Sequence, residues 1–220
     1  MRYVTQIVLD KAVAAQRKLF GLYDWHQEAW KLFPGRPRDK RNHDDFNFLT
    51  RLDTGEYEFR LTVLSTVKPQ KPDWCAQAWW REKEMPQNFF EQRRYLFKVV
   101  VNPTRTLSRR DPAGNKKKHG SHYAITKSDE LEEWIVRKAE QGGFAICDEP
   151  RLEISPPVFH RLYKEDKKIQ KEYAGGIVGV EFKGALEVKN REYFLKIVQN
   201  GIGRAKSFGF GMLILKPIVE

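Results

Sequence analysis

Two cysteines in 220 residues, Cys75 and Cys147, leave little room for sulfur chemistry. They stand far apart and form no CxxC pair, so neither a disulfide framework nor a Cys-rich metal site is available, as is usual for a chain kept in a reducing compartment. No stretch approaches the ~20 consecutive apolar residues of a membrane-crossing helix. The opening MRYVTQIVLDK meets a charge after a few apolar residues and has no small-residue cleavage site, so it reads as a first strand and not as a secretory signal. A cytoplasmic location is the expectation. Acidic residues are also short: 29 Asp and Glu face 40 Lys and Arg, a formal net charge of +11 with a sequence pI near 9.6. That excess suits a polyanionic partner, nucleic acid before membrane, although a basic scaffold for acidic proteins carries the same charge. Core-forming residues are plentiful, by contrast. A 40% hydrophobic content with six Trp argues against wholesale disorder, and the length holds two small domains or one larger one.

Tyr3–Leu9 alternates as a strand ending at Asp10, an N-cap residue for a helix over Ala12–Leu22. A second helix over Trp25–Phe33 stops at Pro34-Gly35, and the polar stretch 36–45 is a loop. Phe46–Leu52 and Tyr57–Ser65 read as strands around the turn Asp53-Thr54-Gly55, followed by a short helix over Asp73–Ala78 and a strand over Trp79–Lys83. The second half repeats this order. Tyr95–Val101 is a strand, Thr104–His122 a basic loop, and Ser128 the N-cap of a helix to Gln141 that Gly142-Gly143 ends. Phe144–Ile154 and Gly176–Val188 read as strands joined across Pro156–Gly175. Asn190–Gln199 is a helix, 201–211 a glycine-rich loop and Met212–Ile218 a last strand. Two βαββαβ units predict an α+β fold of tandem ferredoxin-like (RRM-like) domains, divided as 1–90 and 91–220. The support is element order, without a sequence-level repeat.

The most informative stretch is Gly201-Ile202-Gly203-Arg204-Ala205-Lys206-Ser207-Phe208-Gly209-Phe210-Gly211. Glycines permit positive φ and close backbone approach, and exposed N–H groups between Arg204 and Lys206 can cradle an anion. Phe208 and Phe210 alternate with glycine, so one can stack on a base while the other faces the core. The loop follows a helix and precedes a strand, the reverse of a P-loop or Rossmann turn, which argues against a nucleotide cofactor. A plain flexible connection is the alternative reading. In the helix before Pro34, Tyr23 and His26 lie three apart and share a face with Trp30. Histidine is suited to proton transfer near neutral pH and a phenol can assist it, while a helix-surface histidine beside core aromatics is the bland alternative. His119 and His122 have metal-ligand spacing but no third or fourth ligand, and His43 and His160 fall in connections. No metal and no cofactor is expected. The tip around Lys164-Glu165-Asp166-Lys167-Lys168-Ile169-Gln170-Lys171 is either a solvated turn or a nucleic-acid contact.

These pieces together resemble the CasE-type CRISPR repeat-RNA endoribonucleases over nearly the whole chain. His26 is followed by Trp30-Lys31-Leu32-Phe33-Pro34, an NPT stands at Asn102-Pro103-Thr104, and Leu131–Phe144 runs into Gly142-Gly143-Phe144. The most specific match is the closing G-I-G-x-x-K-x-F-G-x-G-x-L pattern from Gly201 to Leu213. The resemblance implies two ferredoxin-like domains and metal-free cleavage of precursor CRISPR RNA at the base of each repeat hairpin. The product is then retained within a multisubunit, Cascade-type interference complex. By the same likeness His26 is the principal catalytic residue and Tyr23 its assistant. The RNA-binding set is Lys31, Arg105, Arg109, Arg110, Lys164, Lys167, Lys168 and Lys171, with Gly201, Gly203, Arg204, Lys206, Ser207, Phe208 and Gly209 of the loop. A subunit that holds RNA without cutting it is the second possibility.

Overall fold

The computed structural model describes residues 3–36, 46–107, 121–166 and 171–218. Strand β1 (Tyr3–Asp10) alternates as predicted, burying Thr5, Ile7 and Leu9 on one face. The predicted Ala12–Leu22 helix is shorter: α1 spans Lys11–Gln16, and α2 spans Leu22–Lys31. Between them Lys18 takes a left-handed φ of 58°. The N–H of Leu19 donates to the Ala14 carbonyl and that of Lys18 to the Ala15 carbonyl, each at 2.9 Å. This double closure ends α1 and swings Leu19 into the core. Helix α2 starts earlier than Trp25 because the Asp24 carboxylate accepts the N–H groups of Gly21 at 2.9 Å and Phe20 at 3.1 Å. Its buried face is Trp25, Glu28 and Ala29.

Strands β2 (Phe48–Thr54) and β3 (Glu58–Ser65) form the predicted hairpin, turned by a bond from Gly55 N–H to the Glu58 carbonyl at 2.8 Å. The helix predicted over Asp73–Ala78 is replaced by irregular chain and a 3₁₀ turn, Gln77–Trp79, leading into β4 (Trp80–Glu84). Six residues after a proline cannot offset helix nucleation. Tertiary contacts decide instead, with Trp74 beneath the Arg17 guanidinium at 3.8 Å and Cys75 buried. The sheet order is β2-β3-β1-β4, antiparallel throughout.

The second sheet is built on β5 (Arg94–Val101). The stretch predicted as one basic loop contains a hairpin, β6 (Thr104–Leu107) with β7 (Ser121–Ala124). Helix α3 spans Ser128–Gln141 with Lys127 at the cap, so Ser128 is inside the helix and the acids Asp129 and Glu130 favour its first turn electrostatically. The predicted strand 144–154 is split into β8 (Phe144–Ile146) and β9 (Glu153–Ile154) around a cis Glu149–Pro150 bond. The predicted connection 156–175 is itself a long hairpin of β10 (Val158–Asp166) and β11 (Lys171–Val188), registered from Val158 opposite Gly179 to Asp166 opposite Lys171. Helix α4 (Arg191–Asn200) is capped by the Asn190 side chain, and β12 (Ile214–Pro217) closes the sheet. The order is β10-β11-β5-β12, with β8 and β9 on the C-terminal half of β11. Each sheet thus has the 2-3-1-4 order of a βαββαβ unit, the second helix of the first unit being reduced to the 3₁₀ turn.

One core packs α1 and α2 on the first sheet through Ile7, Leu9, Trp25, Ala29 and Leu61. The other holds Tyr95, Trp134, Phe182, Phe194 and Met212, and takes in Leu49 and Leu64 from the first sheet, so the two units share packing. A polar tie runs beside it. The Arg51 side chain, only 4% exposed, holds the neighbouring Asp53 at 2.8 Å and reaches Glu181 on β11 at 2.9 Å, where Lys98 joins at 3.0 Å.

Candidate active site and nucleic-acid interface

His26 lies in the second turn of α2, half-buried, with Tyr23 nearly one turn earlier on the same side. The indole N–H of Trp30, one turn later, donates to His26 Nε2 at 3.0 Å. An indole has only a donor to give, so Nε2 is the accepting nitrogen and the proton of the neutral ring sits on Nδ1. Aromatic rings from two further elements surround the imidazole. Phe48 of β2 stacks at 6.3 Å and 23°, and Phe208 of the glycine loop approaches at 6.4 Å. Phe48 in turn meets Trp30 edge-on at 4.8 Å, which fixes the indole that holds the histidine. Helix and glycine loop therefore meet at His26 and Phe208, 182 residues apart in sequence.

The glycine loop is more ordered than a flexible connection. Gly201, at a φ of 73°, ends α4, and Gly203, Gly209 and Gly211 also have positive φ. The N–H groups of Gly201, Ile202, Phe208, Gly209 and Gly211 donate to carbonyls inside the protein. Between these bonds Ala205 is itself left-handed at 60°. Arg204 and Ser207 are exposed there, while the stem of Lys206 packs near Gly201. Of the two loop phenylalanines, Phe210 is the buried one and lies edge-on against His160 at 5.4 Å.

The other candidates are more scattered. Lys31 is exposed but paired with Glu28, a buried carboxylate that Arg17 also approaches. Arg105, on β6, pairs with Glu130 at 3.3 Å. Lys164 and Lys171 belong to the strands of the long hairpin. Arg109, Arg110, Lys167 and Lys168 lie outside the described residues, as do His43 and His119. His122 faces Thr106 across β6–β7 at 3.0 Å. Among the described residues no group of three or more His, Cys, Asp or Glu is arranged to hold a metal ion, and no helix is long and apolar enough to cross a membrane. Burial lowers the pKa of His160 below the ordinary imidazole value.

The sequence placed Trp30 on the His26 face without its bond, and did not reveal Phe48 beside the imidazole or the Arg51 tie between the sheets. Trp30 sits four residues after His26, a spacing that was a usable signal for the bond. Phe48 was legible only as part of a strand. Arg51 looked like any strand arginine, and its role depends on a carboxylate 130 residues away.

A family model described as CRISPR associated protein matches residues 2–217. The chain belongs to that family. The CRISPR system Cascade subunit CasE of Escherichia coli K12 is 28% identical over 225 residues, covering 96% of this chain and 99% of the relative. The CRISPR-associated endoribonuclease Cse3 of Thermus thermophilus is 25% identical, covering 98% of this chain and all of the relative. Among solved structures, CRISPR endoribonuclease Cse3 bound to a 19-nucleotide RNA superposes with a TM-score of 0.74 at 23% identity, over 98% of this chain and all of that one. The CasE-type resemblance read from Gly201–Leu213 therefore holds, and so does the tandem ferredoxin-like fold.

Proposed function

We propose that this chain is a metal-independent endoribonuclease that binds the stem-loop of CRISPR repeat RNA and cuts at its base. It then stays on the product within an interference complex in the cytoplasm. CasE of E. coli is named a Cascade subunit and Cse3 of T. thermophilus an endoribonuclease, which supports both halves of the reading. The observation that carries it is the meeting of His26 with Phe208, because it brings a proton-transfer group to the edge of a basic, glycine-rich loop. In this reading residues 1–90 form the domain with the catalytic helix and residues 91–220 the domain with the hairpin and glycine loop.

RNA brings its own nucleophile. The 2′-oxygen upstream of the cut forms a bond to phosphorus as the bond from phosphorus to the 5′-oxygen breaks. One proton leaves the 2′-hydroxyl and one reaches the departing 5′-oxygen, and a 2′,3′-cyclic phosphate remains. His26 handles one of those transfers with Tyr23 assisting, and the glycine-rich loop with Arg204 and Lys206 holds the phosphate. Because the attacking group needs no activation of water, no metal is required.

Incubation of a labelled repeat hairpin in EDTA tests the proposal. Cutting at the base of the stem with a cyclic-phosphate end is expected, and a single 2′-deoxy nucleotide upstream of the cut should block cutting while the RNA still binds. Efficient cutting of the deoxy RNA, or a metal requirement, overturns the mechanism. The bond from Trp30 to His26 Nε2 favours a second reading, in which His26 is structural and the chain holds RNA uncut; binding without cutting in the same assay would establish it.

A further inference from the structure

Phe159, at the foot of the β10–β11 hairpin, is a large apolar side chain left 63% exposed. It is nonetheless fixed. Its ring leans across to β11, and its far edge occupies the place of a side chain on Gly176: a Cβ built there would lie 2.0 Å from Phe159 Cζ. Gly176 pairs with Arg161, so the ring leans along the hairpin toward its lysine-bearing end. The next residue, His160, packs on Phe210 of the glycine loop, whose neighbour Phe208 touches His26, and α2 itself packs against β10. Phe159 is therefore a pre-set, open aromatic ring between the candidate site and the basic tip.

We infer that Phe159 is a stacking platform for one unpaired RNA base beside the foot of the repeat stem, held in place by Gly176. A nucleobase is the occupant that fits. The surroundings are basic, with Arg161 exposed on the same strand, and a single ring offers one base-sized face rather than a groove. A base inside the duplex has no free face to give, whereas an unpaired base does. The platform would add base recognition to a surface otherwise made of phosphate contacts, and it rests on the reading that this hairpin meets the RNA.

The test is a double-mutant cycle on the full chain, crossing Phe159→Ala with an abasic substitution at each unpaired position flanking the stem. Phe159→Leu, which keeps an apolar cover on Gly176, and Phe159→Trp accompany it, and thermal melting reports folding of each. Phe159→Ala should weaken binding of the intact hairpin by about 5- to 150-fold. It should cost almost nothing on RNA lacking the one stacked base, with Leu behaving like Ala and Trp restoring affinity. If Phe159→Leu melts like wild type and binds within two-fold of it, or if every abasic RNA loses as much as the intact one, the platform is overturned. If the wild-type chain does not bind the hairpin at all, the RNA reading itself fails and the platform with it.

Discussion

His26 is held by an indole N–H, a stacked Phe48 and a tilted Phe208, so its ring has little freedom to turn. A group fixed in this way can act on a phosphate brought to it without first ordering itself. His26→Ala should slow single-turnover cutting of the repeat hairpin by about 10²–10⁴-fold, the usual worth of one positioned proton-transfer group. Hairpin affinity, spread over many phosphate contacts, should stay within a few-fold, and Tyr23→Phe should slow cutting less. Cutting by His26→Ala at the wild-type rate would place the chemistry elsewhere. At this scale the sequence offered His26 and the glycine-rich loop as candidates, and the fold brings them together at Phe208. The sequence was a poor guide to Phe48, because an aromatic on a strand looks the same whether it fills a core or stacks on a histidine.

The helices show how tertiary packing overrides local pattern. Nothing in Lys11-Ala12-Val13-Ala14-Ala15-Gln16-Arg17-Lys18 breaks a helix, yet α1 stops at Gln16 because burying Leu19 requires the left-handed turn at Lys18. Glycine is the residue best suited to that position, since a side chain in the left-handed region costs about 1–2 kcal/mol. Lys18→Gly should therefore stabilise the protein by about 0.5–1 kcal/mol, seen as a raised melting temperature without loss of hairpin binding. A lowered melting temperature would mean that the Lys18 side chain contributes more than its strained backbone costs. The long hairpin was misread for a different reason. Val158-Phe159-His160-Arg161-Leu162-Tyr163 is rich in strand formers, but the charges after it and the glycines Gly175 and Gly176 resembled loop composition. The cis bond at Pro150 and the split of β8 from β9 had no local signature beyond the proline itself. Strands with clean alternation, such as β1 and β5, were found within a residue or two.

At the scale of the whole molecule, the tie between the sheets sets a pH dependence. Burial pushes the Glu181 carboxyl up, but hydrogen bonds from Lys98 and Arg51 outweigh it and hold the group below the ordinary carboxylate range. A carboxylate favoured in the folded state stabilises above its unfolded value of about 4.3, and the stabilisation is lost as pH falls through the lower folded value. Acid melting of the wild-type chain should show that loss below about pH 4.3. Glu181→Gln should be less stable at neutral pH and lose less on acidification. Parallel acid curves for the two proteins would show that the tie does not couple the units. Neither partner was legible as a pair in the sequence, since 130 residues separate them. The strand succession of the first unit was legible in its alternating segments, whereas in the second unit the strand beside β11 is β10, which the sequence placed in a connection. The 18 residues of β11 belong to two environments at once: Val180–Glu187 pairs with β5 in the middle of the sheet, whereas Lys171–Gly179 pairs with β10 in the hairpin. One continuous strand therefore spans a gradient of opening free energy. Its inner amides exchange with deuterated solvent only when the sheet comes apart, and its outer amides exchange through fraying of the hairpin alone. A polyanion gripping the outer end would slow exchange there first, so a single strand records both the global stability of the protein and the occupancy of its basic arm.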